Sequence, residues 1–151
     1  MIGIILAATL TTAPIAPDSI MTPGAINSQI TQDNIATTIC VTGYTARQGI
    51  RNVPEKEKKQ VYLEYHYDKV KLGLTEVDHL ISLELGGSND IHNLWPESYI
   101  TKPLNAHTKD NLENHLHRLV CSGKVTLHQA QYDISKDWVS AYSKYVGPLP
   151  K

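Results

Sequence analysis

The chain has 151 residues, the length of one compact domain, with 41% hydrophobic and 19% charged residues. That balance excludes a disordered tail, a polyelectrolyte and a multi-span membrane protein. Fourteen Lys and Arg against fifteen Asp and Glu give a net charge of −1, so no global basic field advertises nucleic acid and any anion site must be local.

The first charged side chain is Asp18, behind an apolar run Ile2–Leu10 and a small, proline-containing stretch. Nine apolar residues cannot span a bilayer but match the central region of a secretory signal peptide. Residues 1–17 are therefore expected to be a signal, with Ala13 to Ala16 near its cleavage site; a buried strand is the alternative. Two cysteines, Cys40 and Cys121, form no Cys-x-x-Cys pair. In an exported chain they would make one disulfide, whose ~80-residue loop is worth about 4 kcal/mol in the chain-entropy picture. In a cytosolic chain they would be two buried thiols.

Residues 18–37 read as an extended arm, and Gly43–Val53 as coil carrying Arg47 and Arg51. Pro54 opens a helix expected to run to Lys69, with Glu55 and Glu57 at the positive end of its dipole. Val61, Tyr62 and Tyr65 form its apolar stripe, and Lys56, Lys58 and Lys59 read as a solvated face. Glu76–Leu85 looks like a strand pair or a strand running into a loop, and Gly86 to Asp90 is a turn cluster. Pro96 is expected to stop anything regular. A second helix spans Asn105–Cys121, with Leu112, Leu116, Leu119 and Val120 at helical spacing and Gly123 past its end. Thr126 with Gln129 is a capping box opening a third helix, whose stripe is Leu127, Ala130, Ile134, Trp138, Ala141 and Tyr145. The order predicts an α+β domain over 18–151.

The chemistry concentrates at Asp78-His79 and, fourteen residues on, Asn93. An imidazole is the natural base for deprotonating water at neutral pH, and a carboxylate beside it is a hard-oxygen ligand for Mg²⁺ or Mn²⁺. The Gly86-Gly87 turn would let the chain double back, bringing Asn93 to hold the His79 ring. Other histidines read blandly: His66 and His128 as surface, and His115 and His117 on different sides of their helix. His92, beside Asn93, is open to a substrate contact. Trp95 and Trp138 read as core. Ser82 lacks a nucleophile-elbow context.

Asp78-His79-Leu80, Leu85-Gly86-Gly87-Ser88, Asn93-Leu94-Trp95-Pro96 and a following helix with Lys109, Asp110 and Glu113 together resemble the HNH, or ββα-metal, endonucleases. The match covers about Glu76–Val120, and the flanks around Cys40 and Cys121 look like exported bacterial proteins of that type. The resemblance implies a ββα-metal hairpin and helix, with His79 as general base, Asp78 as metal ligand and Asn93 as the residue orienting the base. A helix residue completes the site: His107 first, with Asn111 and Asn114 as alternatives. One divalent ion is implied, Mg²⁺ or Mn²⁺ before Zn²⁺ or Ni²⁺. The reaction implied is hydrolysis of DNA, or of RNA, with little sequence preference. Lys109, Arg118, Arg47 and Arg51 would meet phosphates, and a secreted or periplasmic location follows, without membrane integration. The rival class is a non-catalytic exported binding or envelope module that keeps the fold.

Overall fold

A computed structural model describes residues 14–67 and 73–151. The signal expected at residues 1–17 therefore lies almost wholly outside the described residues. The first helix, expected to run to Lys69, ends at Glu64 instead, because Tyr65 caps it and His66 takes a left-handed φ of 52°. Among the described residues the architecture is α+β: a two-stranded antiparallel hairpin and three α-helices. Helix α1 is Glu55–Glu64, strands β1 and β2 are Thr75–His79 and Leu94–Ser98, and α2 and α3 are Ala106–Cys121 and Leu127–Tyr145. Among the described residues no helix is long and apolar enough to cross a membrane.

The helix ends follow their caps. Asn105 accepts from Thr108 N at 3.0 Å and Thr126 from Gln129 N at 3.1 Å, each side chain satisfying an amide that has no intrahelical partner. Helix α3 is broken inside, where Asp137 takes extended backbone angles. Its carboxylate accepts from Val139 N and Ser140 N, both at 3.1 Å, so it caps a fresh helical start.

Pro96 does not stop the chain. It sits in the middle of β2, opposite Val77. Tyr99 N donates to Leu74 O and Leu80 N to Asn93 O, which makes 74/99 and 80/93 hydrogen-bonded pairs. By alternation 77/96 is a non-hydrogen-bonded pair, where a missing N–H costs nothing.

The core lies between α2, α3 and the loop after β1. Ile39, Ile81, Leu85, Leu112, Leu116, Ile134 and Trp138 meet there, all nearly free of solvent. Trp95 is also fully buried. A disulfide joins Cys40 to Cys121 and fastens the arm to the C-terminal end of α2.

The turn between the strands is held by Asn93. Its Oδ1 accepts from Ile81 N at 2.9 Å, and its Nδ2 donates to Ile81 O at 2.9 Å and Ser88 O at 2.8 Å. Gly87 is needed because the backbone closes so tightly here: a Cβ would lie 1.8 Å from Ile81 O. The N-terminal arm covers this turn, with Asn27 N donating to Gly86 O and Ser88 N to Ala25 O.

Candidate functional site

Asp78 and His79 end β1, and strand alternation sends their side chains to opposite faces. The register puts Glu76 opposite Glu97, on the Asp78 face. Three carboxylates therefore gather: Glu76, Asp78 and Glu97 each offer an oxygen, all within 4.8 Å of one another. Glu97 is 2% exposed, and its Oε1 has no partner.

Helix α2 meets this face with a cation. Lys109, fully buried, donates from Nζ to Asp78 Oδ2 at 2.6 Å, to His79 O at 2.7 Å, and to Glu113. Burial raises the Asp78 pKa, but the Lys109 charge and hydrogen bond outweigh it, and the net direction is down. Lys109 moves the other way: burial lowers it, the fields of Asp78, Glu113 and Glu97 outweigh that, and the ammonium is held above its ordinary range. Burial pushes Glu113 up. It pushes Glu97 up to about 10, with Asp78 and Glu113 adding repulsion and Lys109 opposing.

Glu97 therefore keeps its proton at neutral pH, beside the ionised Asp78. Its folded pKa is raised above the ordinary 4.5. The stability it contributes is thus complete below pH 4.5 and is lost as pH rises toward 10. Gln cannot ionise, so Glu97→Gln is expected to flatten that slope. At pH 8 the variant should be more stable than the wild type by up to about 5 kcal/mol, the full linkage from 4.5 to that pH. At pH 4 the two should melt together. Melting temperatures across that range decide it, and parallel curves would mean that Glu97 ionises in the fold as it does in water.

On the other face, His79 is 1% exposed. Its Nε2 lies 3.0 Å from Asn89 Oδ1. The orientation of that amide is fixed elsewhere: Asn89 Nδ2 donates to Ile50 O at 2.8 Å, and Oδ1 also accepts from Asn52 N at 3.2 Å. The oxygen therefore faces His79, and Nε2 must carry the proton. Burial is the main cause of the lowered His79 pKa, so the ring is neutral at pH 7. Nδ1 then holds a free lone pair. It is buried and has no partner, a state that costs about 1–3 kcal/mol and calls for an explanation.

Of the expected site residues, the structure brings together Asp78, His79 and Lys109. Asn93 does not hold the ring, because its amide is spent on Ile81 and Ser88; Asn89 does that instead. No expected helix ligand reaches Asp78. The exposed Asn111 donates to Tyr142 Oη at 3.3 Å, toward α3, and Asn114 donates to Asp110 O. His107 is exposed, its ring centroid 5.6 Å from that of Tyr99. The helix residues that do reach Asp78 or its partner are Lys109 and Glu113. Lys109 is thus an internal counter-ion and not a surface phosphate contact.

Arg51 is the one expected phosphate contact that lies near: its charge is felt by His79, Glu76 and Asp110. Arg47 stands over the Tyr44 ring at 5.6 Å and Arg118 bonds to His115, so both are turned to other neighbours. His92, exposed, bonds to Asp90. Arg51 opens on a cleft of about 760 Å³ lined also by Lys58, Lys59, Tyr62, Glu76 and Val77. Lys58 is paired with Glu55 at 2.7 Å.

Glu76, Glu97 and Asn89 have no site role in the sequence reading, and Glu113 enters it only as part of the helix that carries the resemblance. Lys109 and Glu113 carry a visible signal: with Leu112, Leu116 and Val120 they share the apolar stripe of α2, where a charge needs a partner. The hard oxygen donors of Glu76, Asp78 and Glu97, and the orphaned Oε1, fit a cation such as Mg²⁺ or Mn²⁺ rather than a thiophilic one. No family model, curated protein or solved structure matches the chain.

Proposed function

We propose that the hairpin and α2 form a metal-dependent phosphodiesterase centre of the HNH type, acting on DNA or RNA with little sequence preference. The observation that carries this reading is the neutral His79 with an orphaned Nδ1 lone pair, next in sequence to a carboxylate cluster that has its own orphaned oxygen. In this reading His79 Nδ1 takes the proton from the attacking water, while Asn89 fixes the tautomer and Arg51 meets phosphate charge. Lys109 is a positioning residue that holds Asp78. A divalent ion held by Glu76, Asp78 and Glu97 would displace the Glu97 proton to solvent and, when bound, polarise the phosphate and stabilise the leaving oxygen. Even with Glu97 and Glu113 holding protons at neutral pH, Glu76, Asp78 and Asp110 face Lys109 and Arg51 here, so an anionic substrate needs added positive charge. Phosphate contacts carry no base information, which matches weak selectivity.

The disulfide belongs to oxidising compartments, and on that ground we place the mature chain outside the cytosol. A second reading, a non-catalytic exported module, draws on one observation: His79 is 1% exposed and Lys109 already neutralises Asp78. Plasmid incubated with the oxidised protein separates the two. Nicking with Mg²⁺ or Mn²⁺ that stops on chelation is expected, along with steep inhibition by salt. Intact plasmid under every metal condition would favour the binding module.

A further inference from the structure

The disulfide corner holds donors that the nuclease reading does not use. Both sulfurs and one ring nitrogen of His117 lie within 4.8 Å of one another. His117 sits two turns further along α2 than Lys109, four residues before Cys121. Its Nε2 donates to Ile39 O at 2.9 Å, and its Nδ1 is 3.8 Å from Glu84 Oε2. A cavity of about 300 Å³ opens beside Cys40, Glu84 and His117, so an ion from solvent has a way in.

We propose that reduction of this disulfide creates a thiophilic metal site, with Cys40, Cys121 and His117 as ligands and Zn²⁺ as the fitting ion. The bridge takes two electrons and two protons from an external dithiol, which leaves as its own disulfide. Zn²⁺ then replaces the two thiol protons, which go to solvent. Two thiolates and an imidazole are a common tetrahedral donor set for zinc, with a fourth place for water or a carboxylate. Glu84 is the carboxylate at hand. The outer shell is already built, because whichever ring nitrogen binds the ion, the other has an acceptor in Ile39 O or Glu84. The ion would then tie the arm to α2 whenever the covalent bridge is open. Site and bridge exclude each other, so metal affinity reports the redox state of this corner. None of this depends on the hairpin's chemistry.

The test uses Co²⁺ as a coloured stand-in for zinc. Full-length protein is reduced with a dithiol, desalted under nitrogen and titrated, with circular dichroism recorded in parallel. A sulfur-to-cobalt charge-transfer band and intense tetrahedral visible bands should appear at one equivalent and be displaced by Zn²⁺. The oxidised protein should show neither. His117→Ala should weaken binding at least about tenfold, whereas His115→Ala, on a different side of the helix, should leave it unchanged. Reduced, helical protein without the bands would overturn the proposal, as would equal binding by His117→Ala. Loss of helix on reduction that neither ion restores would overturn it as well.

Discussion

Lys109→Met is expected to destabilise the protein by about 3–5 kcal/mol, the usual cost of removing one partner from a buried ion pair. For a chain of this length that corresponds to a fall of roughly 10 °C in melting temperature. The methionine fills similar space, so the loss is electrostatic: Asp78 and Glu113 stay buried with no cation. The pH dependence identifies the cause. Asp78 has a lowered folded pKa, so its contribution is present above its ordinary 3.8 and is lost as pH falls through the folded value. Lys109 has a raised one, so its contribution is present below 10.5 and is lost only as pH rises through a still higher value. The pair therefore stabilises throughout the neutral range. The deficit of the variant should be greatest near pH 7 and shrink toward pH 4, where the stranded Asp78 carboxylate takes up a proton. Adding Asp78→Asn should recover part of the loss by removing the stranded charge. A single variant as stable as wild type would return Lys109 to the surface role read from sequence, with an effect only on nucleic-acid binding and its salt slope.

That surface reading shows where sequence reasoning stops. Lys109 and Glu113 are four apart, and on most helices such a pair is a solvated ornament worth a few tenths of a kcal/mol. The cue to burial was their position on the stripe of Leu112, Leu116 and Val120, but a stripe does not say what faces it. The facing group, Asp78, arrives from a strand thirty-one residues earlier. The starts of α2 and α3 and the end of α2 were legible because caps are local: Asn105, Thr126 and Gly123 act within one turn, whereas the end of α1 at Glu64 carries no such signal. Asn93 was legible as a key residue, yet its task depends on where the backbone of Ile81 passes.

Pro96 hid more than a strand. Reading it as a stop erased the alternation of β2, and with it the fact that Glu97 faces the same side as Glu76 and Asp78. Pairing parity decides whether proline is tolerated, and parity is set by the register with β1. Asn89 was hidden differently. In a Gly-Gly-Ser-Asn-Asp turn it reads as one more turn former, and only the segment Ile50–Asn52, nearly forty residues away, reveals that its amide is clamped on both sides.

His79→Ala is the variant with the largest expected effect on the proposed reaction. Loss of a general base lowers the rate by about 10²–10⁴-fold, read as nicking of plasmid at saturating Mn²⁺. Metal affinity should stay near wild type, because the proposed ligands are the carboxylates of Glu76, Asp78 and Glu97 and not the imidazole. The fold loses packing at a buried position, so a second variant separates chemistry from stability. Asn89→Ala keeps the imidazole but removes the acceptor that holds the proton on Nε2. Its plateau rate should fall, since part of the population then presents an N–H at Nδ1. The acid limb of its pH profile should also move lower, because the Asn89 contact, ahead of the Asp78 charge, raises the His79 pKa against burial. The wild-type limb is itself expected below 6.5, the ordinary value from which burial lowers His79. The same depression makes the folded protein lose stability as pH falls below 6.5, since the unfolded chain takes up that proton first. Wild-type nicking by His79→Ala would remove His79 as the base. An unshifted acid limb in Asn89→Ala would leave His79 in place and take from Asn89 its role in fixing the ring.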